Sequence, residues 1–123
     1  MKHGLILFAH GARDPRWAEP FEAIAAAVRS RAPGVDVRLA FLELMTPDLP
    51  TVADGMVADG IERIDILPLF LGTGGHLRRD LPPLVDAIKA RHSSVNIELH
   101  AAAGEAPALI AAMADHAVSL GQA

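Results

Sequence analysis

Four short apolar runs punctuate the chain, and each is followed by a longer stretch with apolar residues at helical spacing. Residues 4–9, GLILFA, are continuously apolar and stop at His10-Gly11, the pattern of a buried strand. Asp14-Pro15 then offers a cap and a first-turn proline, and Trp17, Phe21, Ile24, Ala25 and Val28 recur at the period of an amphipathic helix of about 15 residues. Pro33-Gly34 ends it. Val35, Val37, Leu39 and Phe41 alternate with Asp36, Arg38 and Ala40, which predicts a second strand leading to a loop at Glu43. Thr46-Pro47-Asp48 opens a second helix that runs to about Asp59 and closes at Gly60.

The third unit, residues 61–80, is the most distinctive. Ile64, Ile66 and Leu67 predict a strand, and Pro68, which cannot donate to a ladder, predicts its end near Leu67. A glycine-rich turn (Gly72, Gly74, Gly75) then delivers His76, Arg78 and Arg79. Asp80 and Pro82-Pro83 look like the opening of a third helix over about Leu81–Ala90, with Leu84, Val85 and Ile88 inward. Val95, Ile97 and Leu99 alternate as a fourth strand. A last helix, about Ala106–Leu120, carries Leu109, Ile110, Met113 and Val118 as its apolar stripe. The order βαβαβαβα predicts one α/β domain over residues 1–123: a small, doubly wound, flavodoxin-like parallel sheet of four strands with helices on both faces.

Composition narrows the function. With 123 residues, 51% of them hydrophobic, the chain can bury a single core and is not disordered. No apolar run is long enough to span a membrane, and the N-terminal stretch lacks a signal-peptide cleavage site. The chain has no cysteine, so thiolate metal sites and disulfides are excluded and a cytoplasmic location fits. A net charge of -4 gives no footprint for nucleic acid, so any anionic ligand must be met by local arginines.

The candidate chemistry gathers at one edge. His10 follows the first strand, Glu43 the second, and His76 lies in the loop after the third. In a parallel sheet these strand ends share an edge, the one at which open α/β sheets bind ligands. Two imidazoles and a carboxylate suit a borderline divalent ion such as Co²⁺, Fe²⁺, Ni²⁺ or Zn²⁺, with coordination positions left open for exchange. His100, at the end of the fourth strand, is a further candidate, whereas His3, His92 and His116 read as ordinary surface residues. Arg13 and Arg16 follow His10, and Arg78 and Arg79 follow His76. With Gly74, Gly75 and the helix N-termini, they predict an anionic ligand that reaches both loops. The glycine loop lacks both the GK[ST] ending and the GxGxxG spacing of nucleotide-binding motifs.

HGARDPR after the first strand, FLELMTPDL after the second and PLFLGTGGHLRRDLP after the third together resemble the sirohydrochlorin chelatases. The likeness is to the short, single-domain form of the class II tetrapyrrole chelatases, the CbiX/SirB type, and covers about Leu5 to Pro82. Ala12 stands where the family pattern usually has serine. Gly104-Glu105-Ala106-Pro107 only partly matches a segment that often carries histidine before the proline. The resemblance implies insertion of Co²⁺ or Fe²⁺, with Ni²⁺ also admitted by the ligand types, into sirohydrochlorin on the route to cobalamin or sirohaem. It implies a homodimer, and it implies that His10 and His76 are metal ligands and proton acceptors, with Glu43 a further ligand or acidic partner. No cofactor beyond the substrate metal is needed. Two rivals remain: a non-catalytic carrier or sensor of metal or tetrapyrrole that uses the same edge, and a flavodoxin-like phosphate or nucleotide binder with Gly72 to Gly75 as an anion nest.

Overall fold

The computed structural model describes residues 2–122, and of His76 only the backbone. Four strands, β1 (His3–Ala9), β2 (Asp36–Phe41), β3 (Arg63–Pro68) and β4 (Asn96–Leu99), form one wholly parallel sheet in the order β2-β1-β3-β4. Helices α1 (Glu19–Arg31), α2 (Leu49–Ala58), α3 (Gly75–Arg91) and α4 (Pro107–Leu120) alternate with them, and a short 3₁₀ turn at Pro15–Ala18 precedes α1. The chain moves outward from β1 to β2, then crosses back to place β3 on the other side of β1. The switch point of the sheet therefore lies between β1 and β3.

Side-chain alternation decides which helix covers which face. Ile6, Phe8, Ala40, Ile64, Ile66 and Ile97 point one way and pack against Leu49, Val52, Ala53 and Met56 of α2 and Leu81, Val85 and Ile88 of α3. Leu7 and Val37 point the other way and meet Ala25 of α1. Helices thus pack on both faces of a doubly wound sheet. Asp48 caps α2 by accepting from the Thr51 amide at 2.9 Å, and Gly60 takes φ 85° just beyond its end.

Two expectations are corrected. β3 continues through Pro68, which pairs in register with Phe8. The Leu69 amide donates to Phe8 on the β1 side, so the proline nitrogen faces β4, where pairing has already ended at Ile66–Leu99. The third helix begins at Gly75 with Gly74 at its cap position, not at Leu81 with Asp80 as cap, so Pro82 and Pro83 lie inside it. Those prolines leave the Arg78 and Arg79 carbonyls without helical donors, which is tolerable on the exposed side of a helix. The apolar stripe of α4 falls where the sequence places it, and the described residues leave it uncovered. None of its residues is buried, and Ile110, Met113, Val118 and Leu120 are exposed.

Candidate functional site

The carboxyl edge of the sheet is built by two short extensions of the strand pairing. The Leu42 amide donates to the Ala9 carbonyl (2.9 Å) and the Glu43 amide to the His10 carbonyl (3.1 Å), which carries the β1–β2 pairing past both strand ends. His10 and Glu43 are thereby held side by side, with Nε2 and Oε1 4.0 Å apart and both side chains about half exposed. That separation is too long for a hydrogen bond and leaves both donors open to an incoming ion. The His10 ring leans on Phe70, centroid to centroid 5.4 Å, and Phe70 in turn contacts Phe8. An apolar wall behind one face of the imidazole restricts it without occupying its nitrogens.

Gly11 makes this approach possible. Its φ is 97°, and a Cβ there would lie 1.8 Å from the Glu43 carbonyl oxygen. Only glycine adopts that conformation and clears that oxygen. Leu44, next to Glu43, also has positive φ (63°), costly for a residue with a side chain, so the Glu43 turn is held under backbone strain. Sequence reading took Gly11 only as the end of the first strand and did not single out Phe70. The HG pair after an apolar strand is the signal that marks Gly11.

The His76 side chain, expected as the third donor, lies outside the described residues. Its backbone stands in the first turn of α3, at the end of the loop that follows β3. Gly74 and Gly75 have open space where a Cβ would project. Arg78 and Arg79, in the first turns of α3, are exposed, and Arg78 Nε donates back to the Thr73 carbonyl at 3.1 Å. Arg78 also lines a cavity of about 190 Å³ with Thr73, His100 and Glu105. On the other loop, Arg13 borders a cavity of about 320 Å³ with Glu22, Leu44 and Met45. Arg16 is engaged in a two-pronged pair with Asp14, whose carboxyl it holds below the usual range. The Gly104–Pro107 segment forms a 3₁₀ turn leading into α4. Gly104 packs so tightly that a Cβ would meet the Leu71 carbonyl at 1.8 Å.

A second constellation lies on the sheet face and includes a residue that the sequence reading passed over. Asp65, on β3, is the one buried charged residue among the described residues. Its Oδ1 lies 2.8 Å from His100 Nε2, and its Oδ2 lies 2.5 Å from His3 Nε2 and 3.2 Å from Arg63 Nε. Burial pushes this carboxyl up, but the His100 and His3 hydrogen bonds and the charges of Arg63 and His100 outweigh it and leave it below the usual range. Donor atoms of Asp65, Glu98 and His100 all lie within 4.8 Å of one another, a grouping that can hold one divalent ion. His3 and His92, read as ordinary surface residues, are engaged with Asp65 and with Asp54 (2.6 Å) respectively. The available signal was an aspartate in the middle of an otherwise aliphatic strand.

A family model described as CbiX matches residues 4–120. The chain belongs to the CbiX family. The fold is accordingly that of the single-domain class II chelatases. A crystal structure of a candidate cobalamin (vitamin B12) biosynthesis CbiX protein from Marinobacter aquaeolei VT8 superposes with a TM-score of 0.84 at 34% identity, covering 98% of this chain and 99% of that one. The sirohydrochlorin chelatase SirB from Bacillus subtilis subspecies spizizenii, solved in complex with cobalt, matches with a TM-score of 0.72 at 25% identity over 80% of this chain and 42% of its own. A sirohydrochlorin cobaltochelatase of Methanococcus aeolicus is 29% identical over 85 residues, 69% of this chain and 59% of that protein. This CbiX-family chain thus spans about three fifths of the length of that curated relative. Among the described residues, no helix is long and apolar enough to cross a membrane.

Proposed function

We propose that the chain is a sirohydrochlorin chelatase, a lyase-type metal-insertion enzyme that places Co²⁺, or Fe²⁺, in sirohydrochlorin in cobalamin or sirohaem biosynthesis. The observation that carries this reading is the open His10–Glu43 pair at the carboxyl edge of the sheet, beyond β1 and β2, in a CbiX-family fold. The similar sirohydrochlorin cobaltochelatase and the cobalt-bound SirB support the substrate and the metal.

Metalation exchanges one divalent ion for two pyrrole protons. The ion must leave protein donors for ring nitrogens while two N–H protons find acceptors. A neutral imidazole does either task, holding the ion through a ring nitrogen or accepting a proton near neutral pH. His10 and His76 take these roles, and Glu43 supplies negative charge beside His10 that lowers the cost of partly desolvating the ion. Few and open donors keep the ion exchangeable, as a substrate must be. Sirohydrochlorin is a polycarboxylate, and Arg13, Arg16, Arg78 and Arg79, with the Gly74-Gly75 entry to α3, would bind its rim.

The active form is a homodimer in the cytoplasm. α4 supports the dimer: its exposed apolar stripe lies beside an apolar cavity of about 470 Å³ bordered by Phe21, Ile24, Leu69, Leu71, Leu109 and Met113. Covering such surface with a second copy contributes about 25 cal/mol per Å² removed from water. SirB, of which this chain matches 42%, is long enough to hold two such units in one chain.

The test is the absorption spectrum of sirohydrochlorin and Co²⁺ followed over time with and without the protein, then with His76→Ala. Protein-dependent conversion to the metallated spectrum, lost in the variant, is expected. Binding of the tetrapyrrole without acceleration would make the chain a carrier instead.

A further inference from the structure

The Asp65 cluster is not used by the reaction described above. Asp65 is paired in register with Leu5 on β1, five residues before His10. At about 3.3 Å per residue this puts the cluster roughly 15 Å down the sheet from the strand-end donors. Burying a carboxylate on a central strand is costly, and the sequence adds a second cost: Asp65 and Glu98 are direct cross-strand partners on β3 and β4. Like charges in that relation repel. Arg63 offsets one side only, approaching Oδ2.

The arrangement of the remaining atoms gives the two carboxylates a common purpose. Oδ2 of Asp65 is taken by His3 and Arg63, which fixes the plane of the carboxylate. Oδ1 is directed at His100 Nε2, 2.8 Å away, with Glu98 on the same face and within reach. Two donors on one tetrahedral ion with bonds near 2.0–2.1 Å stand about 3.4 Å apart. An ion therefore enters between Oδ1 and Nε2 if the pair opens by roughly 0.6 Å. His3 then acts as a positioning residue through the far carboxylate oxygen, the relation that orients ligands in established metal sites. Glu98 and His100 are exposed, so an ion has a path in from solvent.

We propose that Asp65, Glu98 and His100 form a binding site for a borderline divalent cation on the sheet face, distinct from the His10–Glu43 pair. One imidazole and two carboxylates select Co²⁺, Ni²⁺ or Zn²⁺ over Ca²⁺ and Mg²⁺, which favour all-oxygen shells. The site would let the chain hold an ion without occupying His10 and Glu43.

The test titrates Co²⁺ alone into the His10→Ala protein, reading bound ion by equilibrium dialysis and the ring resonances of His3 and His100 by NMR. One ion per chain is expected, with the His100 resonance lost to paramagnetic broadening at the first equivalent. His100→Ala in the same background should weaken binding about tenfold or more, and Glu98→Gln by a smaller factor. His100 is exposed, and circular dichroism checks that its variant folds. Unmoved His100 signals at saturating Co²⁺, or unchanged affinity in His100→Ala, would overturn the proposal. Because His10 is absent throughout, either result is independent of whether the chain metallates sirohydrochlorin.

Discussion

The strand-end edge and the sheet-face cluster use the same kinds of side chain and are built in opposite ways. At the edge, His10 and Glu43 stand 4.0 Å apart on loops, half exposed and without a hydrogen bond to each other. On the face, Asp65 is buried on a strand and gripped by two imidazoles at 2.5 and 2.8 Å. The first arrangement leaves its donors unengaged, which suits an ion that must be handed on. The second stabilises its members mutually, which suits retention. Residue type alone therefore does not separate a transfer site from a holding site; prior engagement of the donors does.

The largest expected effect concerns the edge. His10→Ala should slow metalation by at least about a hundredfold, the range of a lost proton acceptor, with the unfolding midpoint unchanged. A stability loss in this variant would break the contrast, because it would mean that the edge residue also holds the fold. Asp65→Asn should do the reverse. It removes charge-assisted bonds from a buried group and should cost about 1.5–3 kcal/mol in urea unfolding. A neutral outcome would show that the cluster is not stabilising.

Gly11→Ala joins the two kinds of effect. The positive φ and the blocked approach to the Glu43 carbonyl predict about 1–3 kcal/mol of destabilisation together with reduced activity from a displaced His10–Glu43 pair. Alanine at 11 with full activity would show that the edge tolerates being spread. The smallest effect is a control away from both regions. Arg38 holds the Asp36 carboxyl below its ordinary range through a hydrogen bond, against a smaller opposing effect of burial, and the charges of Arg38 and Arg29 add to it. A lowered folded pKa means that this contribution is fully present above about pH 3.9 and is lost as pH falls through the folded value. Unfolding free energies of wild type and Asp36→Asn from urea titrations should differ by up to about 1 kcal/mol at pH 7 and converge on acidification.

Much of this was legible in the chain. Apolar runs and turn residues located all four strands, and the rule that parallel strands share a carboxyl edge places His10 and Glu43 together. Helix α3 was misplaced because Pro82-Pro83 reads as a first turn, whereas the helix begins at Gly75, six residues earlier, and the prolines sit on its exposed side. The α4 stripe was read correctly as amphipathic, but periodicity does not say what covers a face, and none of the described residues buries it. Asp65 was missed because a charged residue inside an apolar strand carries no spacing motif. Its partners come from β1 and from beyond β4, 62 and 35 residues away in sequence.

The central claim is that the open edge, through His10, performs metal insertion. Its most direct test is the initial rate of sirohydrochlorin metalation at saturating Co²⁺ for wild type and His10→Ala, each verified as folded. The account predicts a fall of at least about a hundredfold in the variant. A rate within twofold of wild type would place the chemistry elsewhere on the molecule.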